Sequence, residues 1–194
     1  TFVGWQWKAG TSFTNDASGT GIGSIDSTGS FNNDSGFSIV SWTGTGANGT
    51  IKHGLSTVPK MIIIKNRTDA INWIVYHNKI GNTGAVFLDV TNGTDPGAAY
   101  FNNTSPTNSV FSVGNYNGSN GSNDNMIAYC FADVQGYSKF GSYVGNGNAD
   151  GTFVYTGFKP AFVMIKIISG TGNWMILDNK RSASGGFNVL GERI

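Results

Sequence analysis

The sequence predicts an all-β chain made of two tandem antiparallel β-sandwich modules, jelly-roll-like and related by internal duplication. Three observations carry that prediction. The stretch "NWIVYHNK" at 72–79 returns as "NWMILDNK" at 173–180, 101 positions later. Large apolar residues alternate with small or polar ones over short runs, which is the two-residue period of strands. The chain also holds 29 Gly against 4 Pro among abundant Asn, Ser and Thr, a composition suited to many tight turns. No window combines a sustained 3.6-residue period with caps, so helices are not expected.

The repeat extends in both directions. "PKMIIIKN" at 59–66 answers to "PAFVMIKI" at 160–167, again 101 positions on. "SWTGTGANGT" at 41–50 answers to "SYVGNGNADGT" at 142–152 with one residue inserted, and "HGL" at 53–55 to "TGF" at 156–158. "GAVFLDV" at 84–90 is weakly echoed by "GGFNVLG" at 185–191. "FVGWQWKA" at 2–9 matches "MIAYCFAD" at 126–133, here 124 positions apart, because a Gly/Ser/Asn-rich loop over 10–35 is extra in the first copy. A repeat of this length is a small domain rather than a solenoid turn. The expected modules are 1–124, including the 10–35 loop, and 125–194. The second has no counterpart of 91–124, where "AAYFNN" and "NSVFSVGN" read as two further strands, and is expected to be incomplete.

In chain order, strands are expected at 2–8, 37–43, 60–66 and 72–77, with copies at 126–132, 138–144, 161–167 and 173–178. In the first, Val3, Trp5 and Trp7 point one way and Gly4 and Gln6 the other. In its copy, Ile127, Tyr129 and Phe131 oppose Ala128 and Cys130. The aromatic face is expected in a core, with the small face open to close approach. "KMIIIK" is apolar without a break, so cover is expected on both its faces. Asn-Gly pairs at 48, 92, 117 and 120 mark turns.

Composition argues against several functions. Charged residues are 12% and the net charge is +1, which leaves no electrostatic footprint for nucleic acid or an anionic membrane. No apolar run approaches the ~20 residues of a membrane helix, and "TFVGWQWKAG" lacks the pattern of a secretory leader. A lone Cys130 makes no internal disulfide and is expected to be a buried, inert thiol. "GTGANG" at 44–49 spells the dinucleotide fingerprint, but "TIKHGL" follows it instead of a helix, so it reads as a hairpin loop. "NGNADG" at 146–151 imitates the first half of a calcium loop, yet its twelfth position is Gly157 rather than Glu. His53 and His77 are candidate ligands or bases; their places in the second copy hold Thr156 and Asp178. No cluster has metal-ligand spacing and no nucleophile elbow is present. The expectation is therefore no catalytic residue, no metal and no cofactor. Trp73 and Trp174 occupy matching positions and have two readings, sugar-stacking platforms or core aromatics. The core reading is preferred because Trp73, Val75 and His77 alternate with Ile74 and Tyr76.

The series "SGFSIVSWTGTG", "HGLSTVPKMIIIKNR", "NWIVYHNKIG", "NSVFSVG", "MIAYCFADVQGYSKFGSYVGNG" and "DGTFVYTGFKPAFVMIKI" resembles a β-rich module of structural and tail-fibre-like proteins of marine bacteriophages and cyanophages. The resemblance runs from Phe2 to Lys180. It implies a virion-surface location, often beside lectin-like domains, and carries over no catalytic residue. In such relatives the second module continues further than it does here. The function expected is a non-enzymatic structural or adhesive module of a phage virion appendage (tail fibre, spike or capsid fibre) that holds variable loops toward a host surface. The alternative is a carbohydrate-binding, lectin-like module, with a host-surface glycan stacked on Trp73 and Trp174. A glycan depolymerase is third, since it needs paired carboxylates and only 11 acidic residues are present. The partners expected are other virion subunits in a homo-oligomer such as a trimer.

Overall fold

The computed structural model describes residues 4–180 and 192–193. Along the chain run β1 (Thr11–Asn15), α1 (Ala17–Thr20), β2 (Ser27–Asn32), β3 (Phe37–Thr43), β4 (Gly49–Lys52), β5 (Met61–Asn66), β6 (Ile74–His77), β7 (Gly84–Phe87) and β8 (Asp95–Pro96). Then come α2 (Ala98–Phe101), β9 (Val110–Val113), α3 (Asn117–Asn120), β10 (Asn125–Phe131), β11 (Phe162–Ile165), β12 (Met175–Asp178) and β13 (Glu192–Arg193). The fold is all-β, with three short helical turns among the described residues. Its centre is one antiparallel sheet in the order β1-β2-β3-β10-β5-β6-β7-β8.

The strand β10 joins the sheet's two halves. Its one edge pairs with β3 from Asn125↔Thr43 to Phe131↔Phe37, and the other with β5 from Met126↔Asn66 to Phe131↔Met61. Its even-numbered residues Met126, Ala128 and Cys130 face inward against Val40, Trp42, Ile62 and Ile64. The β4–β9 ribbon covers that face with Ile51, Phe111 and Val113. The faces of this strand are thus the reverse of the sequence expectation: the small residues are in the core and the aromatic ones are outside. Bulk from neighbouring elements is the reason. Trp42 meets Phe111 at 5.8 Å and Tyr76 meets Phe101 at 5.4 Å over this face, and Ala128 and Cys130 leave room for these rings beside the buried Met126.

Other expectations need correction. The boundary at 124/125 does not separate two sheets, because β10 completes the sheet formed by residues before it. Residues 4–10 form no strand, and Phe2 and Val3 lie outside the described residues. The 10–35 stretch is not a plain loop but β1, α1 and β2; its Ser and Thr suit a sheet margin, while Ile25 is buried in the core and Phe13 and Phe31 pack against it. "AAYFNN" is the helical turn α2 and not a strand. The 138–144 copy makes only an isolated Val134↔Ser138 bridge. Strands are present near 37–43, 60–66 and 72–77, and near 126–132, 161–167 and 173–178.

A second sheet has the order β11-β12-β13. Its ladder repeats that of β5–β6 position for position. Met61↔His77, Ile62↔Tyr76, Ile63↔Val75 and Ile64↔Ile74 become Phe162↔Asp178, Val163↔Leu177, Met164↔Ile176 and Ile165↔Met175. The closing bonds repeat too: Asn78 N–H to Lys60 O at 2.8 Å, and Asn179 N–H to Ala161 O at 3.1 Å. So does the clamp across each hairpin loop, where Lys65 Nζ donates to Ile71 O and Lys166 Nζ to Gly172 O. On β6, Ile74 and Val75 pair with Phe87 and Val86; on β12, Met175 and Ile176 pair with Arg193 and Glu192. The β7-like strand therefore falls later than the expected "GGFNVLG", which lies outside the described residues. The second sheet packs on the first through Trp174 and Met164, which join Met61, Val75 and Val86. That contact buries Met61 on the outer face of "KMIIIK" and leaves Ile63, on the same face, half-buried.

His53 sits fully buried at the end of β4. Leu55 N–H donates to its Nδ1 at 3.1 Å, so the ring proton is on Nε2 and faces Thr107 O at 3.2 Å. Burial pulls its pKa down to about 4, opposed by the Thr107 contact. The unfolded chain, titrating near 6.5, takes up a proton that the native state refuses. Stability is whole above about pH 6.5 and falls as pH drops toward 4, by about 3 kcal/mol from this group. Denaturant midpoints measured from pH 7 to 4 are expected to decline through this window, and less steeply in His53→Gln. Cys130 is fully buried with its thiol pushed up to about 12 by burial, so a thiol reagent is expected to leave the native protein unlabelled until it unfolds.

Candidate functional site

The outward aromatics of β10 lie in the floor of a cleft of about 360 Å³. Register fixes the floor. Ile39, Tyr129 and Ile63 form one row across β3, β10 and β5, and Phe37 and Phe131 form the next; the rows run on into Val75 and Met61, which are buried against Trp174. Trp73, just before β6, closes one side: its ring lies near-parallel to Tyr129, 6.4 Å away and tilted 25°. Its backbone is held there, with Trp73 N–H donating to Asp89 Oδ1 at 3.2 Å and Trp73 O accepting from Leu88 N–H at 3.0 Å. Trp7 closes the other side, edge-on to Phe131 at 5.9 Å. The lining is almost wholly apolar, with ring faces offered to whatever enters. Such faces take the C–H face of a sugar ring or the side chains of another polypeptide.

The two candidate tryptophans have different surroundings. Trp73 is half-buried in this cleft. Trp174 is 7% exposed between the two sheets, and its Nε1–H donates to Phe87 O at 2.8 Å. The pair do not share a surface. Tyr129, Trp7, Phe37 and Phe131 join Trp73 instead, and sequence reasoning missed them by putting the aromatic face of β10 in the core. The signal was the strict alternation of "MIAYCFAD", whose two faces were assigned the wrong way round.

A polar cleft of about 360 Å³ opens at one end of the sheet between Thr14, Asp16, Asp26, Thr28, Ser41 and Arg67. Both its carboxylates are engaged in local backbone support. Asp16 caps α1, accepting from Gly19 N–H at 3.0 Å and Ser18 Oγ at 2.7 Å, and these bonds lower its pKa. Asp26 accepts from Ala17 N–H at 2.8 Å. A glycosidase acid needs the opposite, a raised pKa. His77 is half-buried, with its pKa lowered by burial and then by Lys79, against a raising effect of Asp133. In the 146–151 loop, Asn146 Oδ1 accepts from Asn148 N–H at 3.1 Å and Asn148 Oδ1 from Asp150 N–H at 3.2 Å, so these oxygens hold the loop's own backbone. Among the described residues no three His, Cys, Asp or Glu side chains gather as metal ligands would.

The "GTGANG" loop is pinned by Asn120. Its Oδ1 accepts from Trp42 Nε1–H at 3.0 Å and from Thr45 N–H at 3.3 Å, and its Nδ2 donates to Thr45 Oγ1 at 2.9 Å and Ala47 O at 2.6 Å. Gly44 passes so close to Gly121 O that a Cβ would overlap it. Asn66 does the same work nearby, with Nδ2 donating to Asp124 Oδ2 at 2.7 Å and Oδ1 accepting from Thr68 and Asp69 N–H.

A family model described as a domain of unknown function (DUF7483) matches residues 1–192, and the chain belongs to that family. No curated protein matches the chain. No solved structure matches it either.

Trp174→Ala is expected to cost about 3–5 kcal/mol, the usual loss for a buried large aromatic, read from chemical denaturation. Trp73→Ala should cost clearly less, since its ring borders an open cleft. Equal losses would place both rings in the core.

Proposed function

We propose that the chain is a non-enzymatic structural and adhesive module of a phage virion appendage, built as two units related by duplication. The first unit runs through β10. The second begins after it and repeats the β5–β6 hairpin as β11–β12. Identical ladder register, the paired lysine clamps and the sequence repeat support the duplication. The virion setting rests on the sequence resemblance described above.

One observation carries the assembly role. Core positions of the first unit return in the second as exposed apolar side chains. Trp42 is 5% exposed, but Tyr143, its counterpart, is 49% exposed. Ile51 is 0% exposed, whereas Phe153, which follows the inserted residue, is 86% exposed. Neighbouring Val144 and Tyr155 are exposed as well. An apolar stretch of this kind suits an interface with other subunits. An antibody against the purified chain is expected to decorate appendages of the virus that encodes it in electron micrographs. Absence of the chain from purified virions would refute the location.

The aromatic cleft favours a second reading, glycan binding by stacking on Trp73 and Tyr129. A glycan array is the test. Binding abolished by Trp73→Ala, with the fold intact by circular dichroism, would support it; a blank array would count against it.

A further inference from the structure

We infer that the edge of β11 that carries no strand among the described residues takes a β-strand from a second copy of this chain, namely its Gly4–Ala9 stretch. The inference rests on the duplication proposed above. In the first unit, β5 has β6 on one edge and β10 on the other. In the second, β11 has β12 on the matching edge, and among the described residues no strand lies on the other. The vacant place is that of β10, and "FVGWQWKA" is the stretch of this sequence that copies β10.

The match extends to register. Carrying β10's pairing over puts Trp7 opposite Phe162, Gln6 opposite Val163, Trp5 opposite Met164 and Gly4 opposite Ile165. Gly4 and Gln6 then stand where β10 has Ala128 and Cys130, and Trp5 and Trp7 where it has Tyr129 and Phe131. Chemical affinity is already visible: within one chain the rings of Trp5 and Trp7 lie 5.5 and 6.0 Å from that of Phe162. Yet residues 4–10 make no ladder with β11. Thr11 pairs with Phe31 at the margin of the large sheet, and Trp7 packs on Phe37 and Phe131 of its own chain, so the stretch is anchored away from the line of β11. In this arrangement Trp5 Nε1 is buried without a hydrogen-bond partner, a disfavoured state. The same stretch from a second copy is free of that particular anchor. It can lie between β11 and the 138–144 segment, as β10 lies between β5 and β3. The contact is head-to-tail, and repeated it makes a row of chains rather than a closed pair.

The test mixes two single variants, Gln6→Cys and Val163→Cys, under mild oxidation. Directly opposed residues in an antiparallel pair come within disulfide range, and buried Cys130 does not compete. The expected product is a disulfide-linked pair of chains, formed far faster than with Ser12→Cys in place of Val163→Cys. The unmodified chain should also sediment as larger species with rising concentration. Gly4→Pro, which obstructs the ladder, should abolish that while leaving circular dichroism unchanged. No cross-link in the mixture, with a lock inside single chains of the double variant, would overturn the inference in favour of closure within one chain. No cross-link in either case would show that β11 takes no such strand. Both failures leave the antibody test of the virion setting untouched.

Discussion

The large sheet depends on β10 filling the gap between β3 and β5. Without it the sheet falls into two groups, β1–β3 and β5–β8, that share no backbone bond. The demands on this strand are strict. Its inner side chains must leave room for the ring cluster of Trp42 and Phe111 while Met126 is buried in it, and its backbone must complete ladders on both edges. Ala128 and Cys130 meet the first demand. The outer side chains are left free to be large, and Tyr129 and Phe131 become the floor of the aromatic cleft. The core and the candidate site are therefore two faces of one strand.

The second unit shows what that strand prevents. The hairpin β11–β12 forms in the same register as its model hairpin, because local alternation and a lysine clamp suffice for two strands. The segments matched to β3 and β4 make no ladders among the described residues. Their sequences have diverged, with Ser142 the one residue of 138–144 that repeats its β3 counterpart. Most sheet stability comes from cross-strand packing rather than intrinsic preference, so a changed strand loses its ladder along with its partners.

This also explains how much was legible in the sequence. The hairpins at 60–77 and 161–178 were readable because period, turn and repeat agreed locally. The inward face of β10 was not, because the alternation gives two faces without saying which neighbour is bulkier. The Ser/Thr strands β1 and β2 read as loop in the sequence because low hydrophobicity at a sheet margin resembles a linker. The role of Trp73 lay between the two readings: its position in the repeat marked it as important, but its half-buried setting depended on Tyr129, a residue 56 positions away in sequence. Asn120 was legible only as part of an Asn-Gly turn, while its four hydrogen bonds reach residues far up the chain.

The Asn120 and Asn66 tethers bear on ionic strength. Salt weakens attraction between charged groups over a screening length of about 8 Å at 0.15 M and about 3 Å at 1 M. Asn120 bonds only to backbone, hydroxyl and indole groups, with no net charge to screen, so the "GTGANG" loop keeps its tether from dilute buffer to brine; Asn66 is itself uncharged but has the Asp124 carboxylate as one partner. The same economy of charge has another side. With a net charge of +1, the chains repel one another weakly at any salt concentration, and apolar side chains such as Phe153 and Tyr155 meet little electrostatic resistance when two copies approach.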